Sequence, residues 1–515
     1  MIDNTKDKKN FIYLFYLTIL LFFSHFFPFE RSSISPDDYA FLLSNKEGFF
    51  NFLLHPHRPL QYIWYEIQSS ITGTNGFYGL LLLYFSNLIF VFVLYYLYSL
   101  IFKNNKHAFV ISIINLVLIN KIEIYQGPVF IHIILASTIY ILVIVFYYKF
   151  LNLKNKNYLL ISLIFYLLGI FWYENGFFIP LILFIYKIIT ISEYKKINYK
   201  KIILEFLPFI IIIIFYSYFR LSGAFGYSSS FSGRQINLLL FFQSLQDLFN
   251  NIIGRTFIRI SIYGLYNFIK INYLYISILI LFNSFFIFLF YKLIKNTKYI
   301  RYNKNELFLF FLIFIITLIP SIISGNIGPR SMILSFVGFT PIIYFLFSFL
   351  KYKNIFISFF VLISLIISQG NSWTHVIASR INYEVFKTLT DYKSDILKAE
   401  FIIFDKYSFA ENIPYSFVSN EYNIFKTYYG AQVFEDWGIH SMIHLAVDKS
   451  IKSDQIFVVS ESPNINDNNE VLAVVYRHAG YKLIEKYSSY LNADKIIIID
   501  YKKVYNKSFY FGLNR

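Results

Sequence analysis

Gly76–Phe102 reads GFYGLLLLYFSNLIFVFVLYYLYSLIF, a run without one charged side chain. A helix crossing the roughly 30 Å hydrocarbon layer needs about 20 apolar residues. This run exceeds that length, and it has no polar stripe to turn toward water. Working outward from it, comparable apolar stretches recur along the chain: Phe11–Phe29, Ala108–Ile122, Pro128–Tyr148, Tyr158–Trp172, Phe177–Ile191, Ile202–Phe219, Tyr273–Tyr291, Leu307–Ile323, Ser331–Leu350 and Ile355–Ser368. The expected fold class is an α-helical polytopic membrane protein with about eleven transmembrane helices.

Composition agrees. The chain has 515 residues, 57% hydrophobic, 22% aromatic and only 15% charged, with a mean hydropathy of +0.53. A soluble domain is about 45–50% apolar and about 25% charged, and a single core stops growing beyond roughly 250–300 residues. A purely soluble enzyme and a disordered chain are therefore excluded. The chain has no cysteine, which removes disulfides, thiolate metal sites, iron–sulfur clusters and a cysteine nucleophile. The net charge of +16 would suggest nucleic acid in a soluble protein. In a membrane protein it is read as lysine gathered in cytoplasmic loops, so no nucleic-acid partner is expected.

The loops set an orientation. Lys6, Lys8 and Lys9 precede the first apolar run, which is too long for a signal peptide and leaves through Pro28-Phe29-Glu30-Arg31 without a small-residue cleavage pattern. It is read as an uncleaved first helix with its N-terminus in the cytoplasm. Alternate loops then carry Lys103 and Lys106; Lys149, Lys154 and Lys156; Lys195, Lys196, Lys200 and Lys201; Lys292, Lys295, Lys298, Arg301 and Lys304; and Lys351 and Lys353. Each cytoplasmic loop is thus basic. An odd number of spans puts the chain from 370 to 515 outside. That segment has ordinary polarity. Trp373–Lys398 reads as a helix, and Phe401–Phe404, Gln455–Val459, Val471–Val475 and Lys495–Ile499 read as strands. The expected organisation is a membrane domain over 1–369, with outer loops 30–75 and 220–270, followed by an extracytoplasmic α/β domain over 370–515.

Polar chemistry gathers in the outer loops. Within the spans the ionisable residues include His25, His132, Lys187 and Glu205, the last two near inner ends where they can snorkel. Loop 30–75 contains Ser35-Pro36-Asp37-Asp38-Tyr39, an acidic pair suited to a helix first turn, then His55-Pro56-His57-Arg58-Pro59 and an amphipathic helix from Gln61. Other outer edges hold Glu123 and Tyr125, then Trp172-Tyr173-Glu174, then Arg330. Taken singly, the acids are helix caps and the aromatics an interfacial belt. Short loops cannot stray far from their helix ends, so together these groups are expected at one depth, forming one site. Loop 220–270 reads as a flexible cover with a surface helix.

An acidic pair in the first outer loop, two surface helices with Arg58-Pro59 between them, about eleven spans and a C-terminal domain on the same side resemble the GT-C superfamily of membrane glycosyltransferases. Phe171-Trp172-Tyr173-Glu174-Asn175 is similar to a segment of bacterial members that decorate O-antigen; the mannosyltransferase-like members carry Asp-Glu where this chain has Asp37-Asp38. The resemblance implies transfer of a sugar from a polyprenyl-phosphate donor to an extracytoplasmic glycan, lipid or protein, in a bacterial plasma membrane. Asp37 or Asp38 would act as general base, the other orienting the acceptor or binding a divalent metal. His57, Arg58 and Arg330 would hold the donor phosphate. Glu123 and Glu174 would bond sugar hydroxyls, and Tyr125, Trp172 or Tyr173 would stack on the ring. The competing reading is an O-antigen polymerase or another polysaccharide-assembly protein. A transporter would need charged partners at mid-membrane, and a scaffold would tolerate changes in the outer loops.

Overall fold

Two turns share one design. The helix Gly76–Phe102 (α3) and the helix Ile131–Leu153 (α5) each end on a lysine in the left-handed region, Lys103 at φ 51° and Lys154 at φ 56°. In each case an asparagine follows and caps the next helix. Asn104 accepts from the backbone of Lys106 and His107 to start Asn105–Leu116 (α4). Asn155 accepts from Asn157 N at 2.9 Å to start Lys156–Trp172 (α6). A side-chain oxygen at this position satisfies donors that the first turn leaves unpaired. The result is pairs of antiparallel helices joined at a lysine-rich face.

The computed structural model describes residues 4–30, 39, 42, 58–125, 127–192, 199–221, 238–295, 304–324, 331–405, 408, 436–459, 464–465, 470–479, 482–492, 496–500 and 504. The other helices that shape the membrane body are Asn4–Leu21 (α1), Pro59–Thr72 (α2), Ile179–Ser192 (α7), Tyr199–Leu221 (α8), Leu238–Ile252 (α9), Arg255–Ile269 (α10), Tyr273–Lys295 (α11), Lys304–Ile316 (α12), Ile319–Ser324 (α13), Ile333–Ser348 (α14) and Lys353–Asp391 (α15). Among the described residues, seven segments are long and apolar enough to cross a membrane: Lys9–Phe26, Gly76–Phe102, Pro128–Leu153, Tyr199–Tyr218, Tyr273–Lys295, Lys304–Ile322 and Lys353–Asp391. The four remaining apolar stretches are also helical but shorter, with 12 residues in α4, 17 in α6, 14 in α7 and 16 in α14. The protein is a helical, membrane-embedded one.

Contacts gather the lysine-bearing ends. Tyr95 and Asn105 both bond Asn10, Phe102 stacks on Phe310 at 5.3 Å, and His107 Nδ1 lies 2.9 Å from the Tyr344 hydroxyl. Helices approach closely where glycine allows it. A Cβ at Gly338 would strike the Phe310 carbonyl, and one at Gly370 would strike the Gly264 carbonyl. Small residues are the usual means of close helix contact in lipid, where dispersion and polar bonds replace the hydrophobic effect.

Within the helical body the structure departs from the sequence reading in three places. Helix α4 stops at Leu116, not Ile122. Asn115 turns its side chain to Phe336 O and the Thr340 hydroxyl, and the chain continues as a short 3-10 segment, Ile119–Tyr125. Lys187 and Glu205 do not snorkel. Lys187 is buried and pairs with the largely enclosed Glu205, to which the Tyr147 hydroxyl donates at 3.2 Å. Helix α15 runs unbroken through Gln369-Gly370-Asn371-Ser372, where two separate helices were expected. The side chains of Gln369, Asn371 and Ser372 find partners inside the protein. Gln369 and Asn283 exchange two amide bonds at 2.8 and 2.9 Å, and Ser372 donates to His25 O at 2.8 Å.

Past α15 the strands form where short apolar runs were read. Phe401–Asp405 (β1) lies between Ile456–Val459 (β2) and Ile496–Ile499 (β6), all parallel, with Ile402 opposite Ile456 and Ile497. Glu470–Ala479 (β4) pairs antiparallel with Asn464–Ile465 (β3) and Lys482–Asn492 (β5). The far half of α15, through Val376, Ile381 and Val385, shares one apolar cluster with Ile402 and Phe404 of β1 and with Met442 of helix Asp436–Ala446 (α16). Arg380 of α15 clasps Glu30, just after the first apolar helix, at 2.5 and 2.9 Å.

Candidate functional site

Away from the lysine-rich face, α2 opens on Arg58-Pro59. Proline fits a first helical position because its missing N–H and fixed φ cost nothing there. The helix buries a polar stripe, Gln61, Tyr65, Gln68 and Thr72, and exposes Ile67 and Ile71. That inverted pattern suits a helix lying at a lipid boundary, with its polar side turned to the protein.

Arg58 meets the segment that follows α6. Helix α6 ends as Tyr173 turns extended, and Glu174–Gly176 forms one 3-10 turn. The Arg58 guanidinium donates Nε and one Nη to the two oxygens of Glu174, at 2.7 and 2.5 Å, and lies 4.6 Å above the Tyr173 ring. About a quarter of the Arg58 side chain and a fifth of the Glu174 side chain remain exposed. Burial works against the Arg58 charge, but the Glu174 carboxylate outweighs it and raises the guanidinium pKa above its ordinary value. The two-pronged geometry fixes the plane of the fork. Its remaining nitrogen, Nη1, has no partner among the described residues.

Tyr140 sets the Tyr173–Glu174 segment. Its ring lies against Gly169 and Gly176, where an added Cβ would come within 2.8 and 2.5 Å of ring carbons. Its hydroxyl donates to Tyr173 O at 2.9 Å. Beside this, Gln61 donates to the Tyr65 hydroxyl at 2.6 Å, and that hydroxyl lies 3.0 Å from His132 Nδ1. Nδ1 is also 2.6 Å from Val129 O. A carbonyl only accepts, so this contact places a proton on Nδ1. Tyr173 meets the His132 ring edge-on at 5.6 Å. Burial pushes the Tyr65 hydroxyl above its ordinary pKa.

The residues singled out in the sequence fall into three groups. Arg58, Trp172, Tyr173 and Glu174 come together, with Trp64 6.1 Å from Trp172 and the Trp172 indole nitrogen buried without a partner among the described residues. Tyr125 lies elsewhere. It stacks on His25 at 3.8 Å, next to Lys121, which is fully buried and donates to Asn115 O and Oδ1 at 3.0 and 2.5 Å. Glu123 belongs to the same 3-10 segment, and its side chain lies outside the described residues, as do Asp37, Asp38, His57 and Arg330. Sequence reasoning did not assign Tyr65, His132, Gln61 or Tyr140 to the site. His132 did carry a signal, being one of the few ionisable side chains inside an apolar stretch. Among the described residues no three His, Asp or Glu side chains gather as a metal site. The chain matches no protein-family model and no curated protein.

Proposed function

We propose that this chain is an integral-membrane glycosyltransferase that moves a sugar from a polyprenyl-phosphate donor to an extracytoplasmic glycan, lipid or protein. The observation that carries the reading is the Arg58 fork. Glu174 fixes its orientation, Tyr173 lies beneath it, and Nη1 is left to receive another oxygen anion. A guanidinium held in place before the substrate arrives stabilises charge that develops on a leaving phosphate, with little rearrangement at the moment of reaction.

In the proposed step, an acceptor hydroxyl attacks the anomeric carbon while Asp38 or Asp37 takes its proton. The bond from that carbon to the phosphate oxygen breaks, and polyprenyl phosphate leaves with the electron pair. Arg58, with His57 and Arg330, holds the phosphate. Direct displacement inverts the anomeric configuration. Glu174 orients Arg58 and, with Glu123, bonds sugar hydroxyls; Trp172 and Tyr173 supply ring faces for the sugar, while Tyr125, stacked on His25, takes no part. Eleven crossings with a cytoplasmic N-terminus would put both the site and the strands from 401 onward outside a bacterial plasma membrane. The experiment is turnover of a panel of polyprenyl-phosphate sugars by reconstituted protein, comparing the native chain with Arg58→Ala. Donor cleavage that is lost in the variant supports the reading, and cleavage at the native rate refutes the role of Arg58.

A further inference from the structure

Helices α9 and α10 occupy the stretch that reads in sequence as an outer cover. They are joined by only Ile253 and Gly254. Helix α10 packs lengthwise on α15, and the partners advance together along both helices. Phe257, Ile260, Ile363 and Ile367 share one cluster; Gly264 meets Ile367; Gly370 meets the backbone of Gly264 and Phe268. The next helix, α11, runs the other way along α15, with Tyr275 against Trp373 and Asn283 bonded to Gln369. Helix α10 therefore rises toward the face where α11 begins.

The depth of its start follows from α15. Ile363 lies ten residues, about 15 Å, beyond Lys353 at the lysine-rich face, which is near the middle of a roughly 30 Å hydrocarbon layer. Helix α9 descends to meet it. Ser244 donates to Ile322 O at 3.1 Å, and Leu248 and Ile252, one and two turns further along α9, share an apolar cluster with Leu118 and Leu318. Asn120, in the 3-10 segment after α4, donates to the Asn251 carbonyl at the turn. The short helix α13, which receives Ser244, also contacts the Glu174–Gly176 turn, so the hairpin opens on the Arg58–Glu174 face. On its outward stripe Phe249 is 60% exposed, Ile258 52% and Ile262 60%. An adjoining stripe of α9 exposes Gln243, Gln246 and Asp247.

We propose that Leu238–Ile269 is a re-entrant hairpin that enters the membrane from the Arg58–Glu174 face, turns near the midplane at Ile253–Gly254, and presents Phe249, Ile258 and Ile262 to lipid hydrocarbon chains. Its Gln243–Gln246–Asp247 stripe, exposed six to ten residues before the turn, faces water toward the edge of the layer. This inference stands on helix registers and exposure, and does not depend on the proposed chemistry.

The absence of cysteine makes the test direct. Phe249→Cys, Ile258→Cys, Ile262→Cys, Ile269→Cys and Gln246→Cys are made singly in the full chain, spin-labelled and reconstituted in vesicles. Collisions with oxygen and with an aqueous nickel chelate are then compared, taking Leu281→Cys on the exposed side of α11 as the lipid reference. The expected result is oxygen dominance at Phe249 and Ile258, comparable to Leu281. Depth should fall from Ile258 through Ile262 to Ile269, by about 15 Å overall, and Gln246 should collide with the chelate. Equal shallow depth at all positions, or chelate dominance at Phe249 and Ile258, overturns the proposal. Should a labelled variant fail to reconstitute, Ile258→Trp with lipids brominated at mid-chain gives the same reading: quenching supports the hairpin and its absence refutes it.

Discussion

Arg58 and Glu174 lie 116 positions apart in the chain and close on each other through two parallel hydrogen bonds. The pair ties the loop after the first apolar helix to the end of α6, and it fixes the guanidinium with no partner at Nη1 among the described residues. Removing one partner strands a partly desolvated charge, which costs more than the pair itself gains. Glu174→Gln and Arg58→Ala should each destabilise by about 1–3 kcal/mol, less than a fully buried pair would because both side chains still touch water. The double change Arg58→Met/Glu174→Met should recover most of that stability and none of the donor cleavage. Thermal unfolding in detergent and the cleavage assay separate the two effects.

Tyr140 offers a second handle on the same segment. Tyr140→Phe removes one hydrogen bond to Tyr173 O and should cost about 1 kcal/mol. Gly176→Ala should do more harm, because its Cβ would sit 2.5 Å from the Tyr140 ring and the neighbouring turn would have to move. The expected signature is a larger fall in donor cleavage for Gly176→Ala than for Tyr140→Phe, read with the same assay.

In the membrane body, Asn283 and Gln369 satisfy each other's amides. Gln369→Leu should destabilise by about 1 kcal/mol, the scale of interhelical polar bonds in lipid. A double-mutant cycle with Asn283→Leu should show that the two single costs are not additive. Additive costs would mean the pair contributes no coupling.

Glu66 of α2 gives a pH dependence. Burial raises its pKa above the ordinary glutamate value, and one carboxylate oxygen is buried without a partner among the described residues. A carboxyl whose folded pKa is raised favours folding when protonated. Its contribution is complete below the unfolded pKa and disappears as pH rises through the folded one. Glu66→Gln should therefore be at least as stable as the native chain at pH 7, and the difference should vanish near pH 4. Unfolding temperatures of both proteins across that range check it.

Much of the helical body was legible because a long uncharged run has one physical solution in a bilayer. What escaped depended on partners distant in sequence. Gln369-Gly370-Asn371-Ser372 looks like the end of a span, since nothing nearby in sequence supplies Asn283, Gly264 or the His25 carbonyl. Asn115 and Lys121 likewise gave no local sign that α4 would stop at Leu116, because their bonds reach α14 and fold the chain back on itself. Strand β5 was missed because Lys482–Asn492 alternates too many polar residues to read as a buried strand, and it forms by pairing along β4. At the site, loop length alone predicted that Arg58 and Glu174 share one depth. It could not predict their direct pairing, nor that Tyr125 would turn away toward His25.

The most direct test of the proposed activity supplies polyprenyl-phosphate sugars to vesicles of the reconstituted chain and measures release of polyprenyl phosphate. The account predicts release from the native protein, with the anomeric configuration inverted in the product, and loss of release in both Asp37→Asn and Asp38→Asn. Release that persists unchanged in both variants contradicts the proposed base, and no release from any donor in the panel contradicts the activity itself.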